Sequence, residues 1–199
     1  MNNPAARHSP AAARNAPVIL AELQRVLPPS GTLLEIASGT GQHAAFCIAG
    51  LPGWQWQPSD YDASALPSID AWCKGLERVL PAIQLDVLSQ DWPDADAIYC
   101  ANMIHISPWE CTVGLMRGAA RHLSSQGLLI TYGPYIVEGV DTAPSNLAFD
   151  ADLRQRNPAW GVRRLADIES EAASVGICLL EQIVMPANNR LLVWARRPA

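Results

Sequence analysis

The sequence predicts an α/β fold on a seven-stranded, mostly parallel, doubly wound sheet, with a C-terminal antiparallel hairpin and one long insertion. Three observations predict it. Leu33–Ile36 is a short apolar run that ends in a loop carrying Gly39 and Gly41, and a small-residue helix begins near His43 and Ala44. Short apolar runs then alternate with stripes of helical spacing as far as Gly176, which is the pattern of successive βα units. Beyond Gly176, two runs, Cys178–Met185 and Arg190–Arg196, are separated only by Pro186–Asn189, so they must turn back on each other as a hairpin.

Bulk properties narrow the classes. At 199 residues and 49% hydrophobic, the chain (1–199) reads as one domain with ample length for a core. A net charge of −5 argues against a dedicated nucleic-acid binder, which presents a basic face. Five cysteines lie dispersed without C-x-x-C spacing, as expected of buried thiols in a reducing compartment, and no zinc pattern is present. No apolar run approaches the roughly 20 residues of a membrane span, and no basic-then-apolar leader opens the chain. The expectation is a cytoplasmic protein with neither metal, nucleic acid nor membrane among its partners. Its oligomeric state is not legible.

Taken in order, Met1–Ala13 is small, polar and alanine-rich, with a start expected to be loosely ordered. Asn15 is a candidate cap for a first helix with Pro17 in its first turn; Ile19, Leu20, Leu23, Val26 and Leu27 share one face. Pro28-Pro29-Ser30-Gly31 stops that helix before the first strand. Glu35 lies inside this strand, where a buried parallel strand should be almost wholly apolar. An acid there makes sense if it faces a cationic or hydrogen-bonding cofactor, directly or by bracing the loop. The glycines let backbone N–H groups approach a ligand with no Cβ in the way. Trp54–Pro58 is the second strand. Asp60, just after it, stands where a carboxylate accepts both hydroxyl hydrogens of a ribose. Asp62 is its rival for that role, or a cap for the next helix. Tyr61 either flanks an adenine or lies exposed.

Ile69, Trp72, Leu76 and Val79 or Leu80 repeat at helical spacing, which makes Trp72 a core residue. Ile83–Val87 is the third strand and its exit, with Trp92 placed near the same pocket. Ala97–Ala101 is the fourth, and Asn102-Met103-Ile104-His105 its exit loop. Ser107-Pro108-Trp109-Glu110 reads as a capping box that fixes this loop at the strand's carboxyl end. His105 is there a candidate general base or a residue that merely shapes the loop. Asn102 is a candidate hydrogen-bonding partner of a ligand. Leu128–Tyr132 is the fifth strand; Tyr132 and Tyr135 either line an acceptor pocket or are buried and satisfied. Residues 133–164 exceed an ordinary connection, and long insertions in compact domains are often lids. Phe149, Leu153 and Trp160 offer it an apolar underside, and Asn146, Asp150, Arg154 and Arg163 polar contacts. The alternative is an external helix covering the sheet. Leu165, Ile168, Ala172 and Val175 form the last helical stripe.

E-I-A-S-G-T-G at Glu35–Gly41 resembles the first motif of the Rossmann-like S-adenosylmethionine-dependent methyltransferases, E/D-x-x-x-G-x-G. R-N-A-P at Arg14–Pro17, W-Q-P-S-D at Trp56–Asp60, N-M-I-H-I-S-P-W at Asn102–Trp109, P-S-N-L-A-F-D at Pro144–Asp150 and W-G-V-R at Trp160–Arg163 together resemble the domain-of-unknown-function 938, or methyltransferase-like 26, family. The resemblance implies a seven-stranded methyltransferase sheet that binds S-adenosyl-L-methionine, releases S-adenosyl-L-homocysteine and transfers a methyl group to a small-molecule acceptor. Glu35, Ala37, Ser38, Gly39, Gly41, His43, Asp60, Tyr61, Asp86, Val87 and Asn102 are then the cofactor contacts, with Asp86 near the adenine amino group. His105, Asn102, Tyr132 and Tyr135 face the donor methyl, and Arg14 and Asn15 belong to an N-terminal flap. Asn146, Phe149, Arg154 and Trp160 belong to the lid. Two other readings stay open: a cofactor-binding but catalytically silent protein, and a nicotinamide-dependent reductase. Gly39, Gly41 and Ala44 also fit G-x-G-x-x-A with an acid about twenty residues on. The closing hairpin favours the methyl donor.

Overall fold

A computed structural model describes residues 5–197; the loosely ordered start expected at Met1–Pro4 lies outside them. The strands are β1 (Gly31–Ile36), β2 (Trp54–Asp60), β3 (Ile83–Gln84), β4 (Ala95–Ala101), β5 (Leu123–Gly133), β6 (Ile177–Met185) and β7 (Asn189–Arg196). They form one sheet in the order β3-β2-β1-β4-β5-β7-β6. The first five pair in parallel, whereas β7 runs antiparallel between β5 and β6. The strand order reverses between β1 and β4, so their carboxyl ends open on the crevice where doubly wound sheets bind ligands. The dinucleotide-binding order 3-2-1-4-5-6 has no antiparallel strand inserted at this edge.

Helices cover both faces. α1 (Pro10–Val26), α2 (Gln42–Cys47) and α3 (Leu66–Cys73) pack Ile19, Leu23, Ala44 and Ile69 against Leu33, Trp56 and Tyr99. On the other face α4 (Trp109–His122) and α6 (Leu165–Ser174) press Leu115, Met116 and Ile168 on Leu34, Ile98 and Trp194. Successive residues such as Leu33 and Leu34 are both buried, which is why β1 reads as an unbroken apolar run. α5 (Pro144–Arg156) lies within the long insertion.

Several local expectations are corrected. α1 begins at Pro10, not after Asn15. Ser9 is extended and its Oγ accepts the Ala12 N–H, so the cap lies six residues earlier, and Asn15 and Pro17 fall inside the helix. No capping box forms at α4: Ser107 Oγ donates to Met103 O at 2.7 Å, and the helix opens at Trp109 without a side-chain cap. β3 is only two residues long, and β5 starts at Leu123, five residues before the predicted Leu128. Trp92 stacks on His122 with ring centroids 6.0 Å apart, beside Gly118 near the end of α4, which places it away from the crevice. Trp72 is only half-buried and stays outside the core.

Candidate functional site

The chain leaves β1 through a strained turn. Ala37 has φ 57°, and Gly39 and Gly41 have φ 60° and 89°. A left-handed alanine costs about 1–2 kcal/mol and persists only where its surroundings dictate it. Here they do. Ser38 N–H donates to Ser59 O at 2.8 Å, Ser59 N–H to Ser38 Oγ at 3.1 Å and Ser59 Oγ to Glu35 O at 2.7 Å. Glu35 Oε2 accepts from Ser38 Oγ at 2.8 Å and from Trp56 Nε1 at 3.0 Å. The acid in β1 thus braces the loop, the second of its two expected roles. Burial raises its carboxyl to about 7; the Ser38 and Trp56 bonds oppose that rise and the charge of Asp60 adds to it.

Asp60 joins the two exit loops. Its Oδ2 accepts the Gly39 N–H at 2.8 Å, and its Oδ1 accepts the Asp62 N–H at 3.0 Å. Each oxygen keeps a lone pair for a further donor, and the carboxylate is part-exposed at the end of β2. Asp62 takes the capping role, accepting from Ser64 N–H at 2.9 Å. Tyr61 is 69% exposed beside them. One strand further out, Asp86 Oδ1 closes the turn after β3 by accepting the Leu88 N–H at 2.9 Å, with Val87 buried next to it. His43 lies buried beneath the loop, its Nδ1 3.2 Å from the Tyr99 hydroxyl, and burial pushes it down to about 4.

The exit of β4 repeats the strain. Asn102 has φ 60°, and its N–H donates to Tyr132 O at 2.8 Å. His105 does not face open space: it is fully enclosed, its ring edge-on to Tyr135 at 5.1 Å. Its Nδ1 lies 3.4 Å from the Arg163 N–H, and the Gly161 carbonyl lies close to the ring. Burial, then the Arg163 charge, hold the imidazole down to about 3. It is neutral at physiological pH and far from the pKa of an efficient base there. Tyr135 donates to Thr131 Oγ1 at 2.9 Å, deep in the core. The Tyr132 side chain is enclosed on the opposite face of the sheet, toward Asn189.

The insertion is anchored rather than hinged at its C-terminal arm. Arg163 Nε donates to Ile104 O at 2.8 Å, and Nη2 to Ser107 O at 2.6 Å and Ala159 O at 2.9 Å. Gly161 N–H donates to His105 O at 2.9 Å. Arg163 therefore clamps the β4 exit loop. Asn146 is buried and donates to Asn188 O at 2.9 Å in the hairpin turn. Leu153 is fully buried, while Phe149 and Trp160 are only partly so. Arg154 is exposed and paired with Asp150 at 2.8 Å. Arg14 is exposed and Asn15 half-buried, both inside α1. The structure thus brings Glu35, Ser38, Gly39 and Asp60 into one bonded cluster. Tyr61 and Asp86 flank it, His43 supports it from below, and Arg14 and Arg154 stand apart from it. Ser59 and Trp56, which complete the brace, are not among the expected site residues, and W-Q-P-S-D at Trp56–Asp60 is the one sequence signal that contains them.

A profile of the family described as "Protein of unknown function (DUF938)" matches residues 6–196. Three solved structures share the fold. CalO1, a methyltransferase in calicheamicin biosynthesis seen in its SAH-bound form, superposes with a TM-score of 0.74 at 21% identity, over 90% of this chain and 54% of that one. The mitomycin 7-O-methyltransferase MmcR gives 0.82 at 16% identity, over 94% and 54%. Human N-acetylserotonin methyltransferase in complex with SAM gives 0.79 at 14% identity, over 94% and 53%. The chain spans about half the length of these proteins. What these proteins share with the chain is the fold, a seven-stranded mixed sheet with helices on both faces.

Proposed function

The chain belongs to the DUF938 family, and we propose that it is an S-adenosylmethionine-dependent methyltransferase acting on a small-molecule acceptor. One observation carries the reading. In a sheet of order β3-β2-β1-β4-β5-β7-β6, the β1 exit glycine Gly39 is tied through its N–H to Asp60, the carboxylate that ends β2. That pairing holds a charged acceptor for ribose hydroxyls beside a glycine where a Cβ would meet no atom within 4 Å. The residues fit an adenosyl ligand with an amino-acid end. Asp60 would hold the ribose, Asp86 and Val87 would border the adenine, and the Ala37–Gly41 backbone would run under the methionine portion. When bound, the cofactor supplies an electrophilic methyl on a sulfonium. The chain contributes close approach, alignment and exclusion of water, which is most of what an in-line transfer needs. Asn102, at the left-handed exit of β4, would orient the reacting ends. His105, neutral and enclosed, would shape this exit loop rather than take a proton. The small-molecule acceptor is inferred from the fold's relatives, whose names specify mitomycin and N-acetylserotonin.

The test is ligand binding. S-adenosylhomocysteine should raise the melting temperature in a concentration-dependent way, as a ligand specific to the folded state must. Asp60→Asn should bind at least about tenfold more weakly, because it loses a charge-assisted acceptor for ribose and leaves the Gly39 or Asp62 N–H without its acceptor; its melting temperature without ligand gives the baseline for that second effect. Stabilisation by NADH with no response to S-adenosylhomocysteine would sink the proposal. Release of S-adenosylhomocysteine from the methyl donor in a metabolite mixture then separates an enzyme from a silent binder.

A further inference from the structure

The chain ahead of α1 does not trail into solvent. Arg7–Ser9 bonds to Ser64 in the turn after β2, to Ser68 and Trp72 on α3, and to Gln42 at the start of α2, directly behind the glycine loop. On the β2 side, the Arg7 guanidinium donates to Ser64 O at 2.9 Å, and its charge helps hold Asp62 below the ordinary carboxylate range after the two Ser64 bonds. Arg7 N–H donates to Ser68 Oγ at 2.9 Å, and Ser68 Oγ in turn donates to Thr40 O, also at 2.9 Å, in the glycine loop. Ser9 N–H donates to Gln42 Oε1, which also accepts from Thr40 Oγ1 at 3.0 Å. Trp72, predicted to be core, instead stands half-buried on α3 with its Nε1 donating to Arg7 O at 2.7 Å and its ring 6.4 Å from His8.

We propose that Arg7–Ser9 is a strap that holds the glycine loop in its ligand-binding shape, and that Ser68 and Trp72 are its anchors. These are positioning residues: they act on the ligand through Thr40 and Gln42. The proposal rests on the adenosyl-cofactor reading above. The loop holds Ala37 at a left-handed φ of 57° and contains two conformationally free glycines, Gly39 and Gly41, so it has other, less strained shapes to fall into. Its neighbour on the α3 side is rigid, since a Cβ on Gly41 would lie 2.6 Å from Ile69 Cα. The strap reaches the loop in two ways: directly, through the Ser9 N–H on Gln42 Oε1, and indirectly, through Arg7 N–H on Ser68 Oγ, which holds Thr40 O. Seating the strap removes loop conformers that cannot bind, and bound ligand must in turn favour the seated strap, because coupling free energies are reciprocal.

Two measurements test this in the intact chain. Wild-type affinity for S-adenosylhomocysteine is measured first by calorimetry; failure to bind there refutes the cofactor reading itself, and the strap with it. Trypsin cleavage after Arg7, followed by mass spectrometry, should slow several-fold with saturating S-adenosylhomocysteine. Trp72→Phe keeps the ring and removes the N–H, and Ser68→Ala removes the bridge to Thr40. Each should weaken binding about five- to tenfold, within the usual range of coupling, and together they should abolish the ligand's protection of Arg7. Ser68→Thr, which keeps the hydroxyl, should recover most of the affinity, which a mere packing role would not predict. The strap is refuted if wild-type protein binds the ligand but cleavage after Arg7 is unaffected, or if Trp72→Phe/Ser68→Ala binds as wild type does.

Discussion

Acidification from pH 8 to pH 4 is expected to cost this protein a net of about 3 kcal/mol of stability, and two buried imidazoles are the cause. An unfolded histidine takes up its proton near pH 6.5. In the folded chain, burial holds His43 down to about 4, and burial together with the Arg163 charge holds His105 down to about 3. Both folded values lie below the unfolded one. Their contribution is therefore present above pH 6.5 and is lost as the pH falls toward 4 and 3. In full, the losses amount to about 3 kcal/mol for His43 and about 5 kcal/mol for His105. Glu35 works the other way. Its folded carboxyl, at about 7, lies above the ordinary 4.5, so protonation between those values favours the folded state by up to about 3 kcal/mol. By pH 4 each imidazole has lost about 3 kcal/mol and the carboxyl has gained about 3, so the net loss of about 3 kcal/mol is a sizeable share of an ordinary domain's stability of about 5–15 kcal/mol. Urea unfolding at steps between pH 8 and pH 4 measures it. His105→Gln should flatten the acid slope. Glu35→Gln should add stability at pH 8, none at pH 4.5, and leave the remaining slope steeper. Wild-type stability that is level from pH 7 to pH 4 refutes the account.

The parts of the fold set by local chemistry were readable in advance, and the parts set by long-range partners were not. β1, β2 and β4 were visible because both faces are covered, and the closing hairpin because Pro186–Asn189 is too short to cross the sheet. Glu35 announced itself as an acid in a buried strand, yet its partner Trp56 Nε1 lies 21 residues away and on another strand. Asn15 and Ser9 are chemically equivalent as caps and each has a proline close behind it, Pro17 and Pro10; the Ser9 N–H on Gln42, 33 residues away in sequence, is a further support for the earlier start that no local pattern shows. Trp72 followed the same logic: its spacing fits the apolar stripe, but the strap it anchors arrives from 65 residues upstream. The sequence puts His105 on the exit loop of β4. Its enclosure depends on Arg163, 58 residues further on, whose clamp no local pattern reveals. W-G-V-R at Trp160–Arg163 was the one available hint.

The two glycines of the β1 exit loop should respond in different proportion to the same substitution, and the contrast isolates ligand contact from folding. Gly41 has φ 89°, and an added Cβ would stand 2.6 Å from Ile69 Cα and 3.2 Å from Ile69 O. These are backbone atoms of α3 and cannot rotate aside. Gly41→Ala therefore combines a left-handed backbone penalty with overpacking, for a loss of about 2–5 kcal/mol. It also pushes α3 away from the loop, so S-adenosylhomocysteine binding should fall by more than about a hundredfold. Gly39 has φ 60°, but a Cβ there meets nothing within 4 Å. Gly39→Ala should cost only about 1–2 kcal/mol, which lowers the melting temperature of a domain this size by a few degrees. Its methyl group, however, occupies the open side of the loop, where the backbone would have to approach the cofactor. Binding should drop at least about tenfold in a protein that still folds and keeps the Gly39 N–H on Asp60. Calorimetric titration of both variants, alongside thermal unfolding without ligand, gives the two axes. If Gly39→Ala binds S-adenosylhomocysteine as tightly as wild type, the open face of this loop is not where the ligand lies. Asp60 would then owe its place to the N–H groups of Gly39 and Asp62 alone.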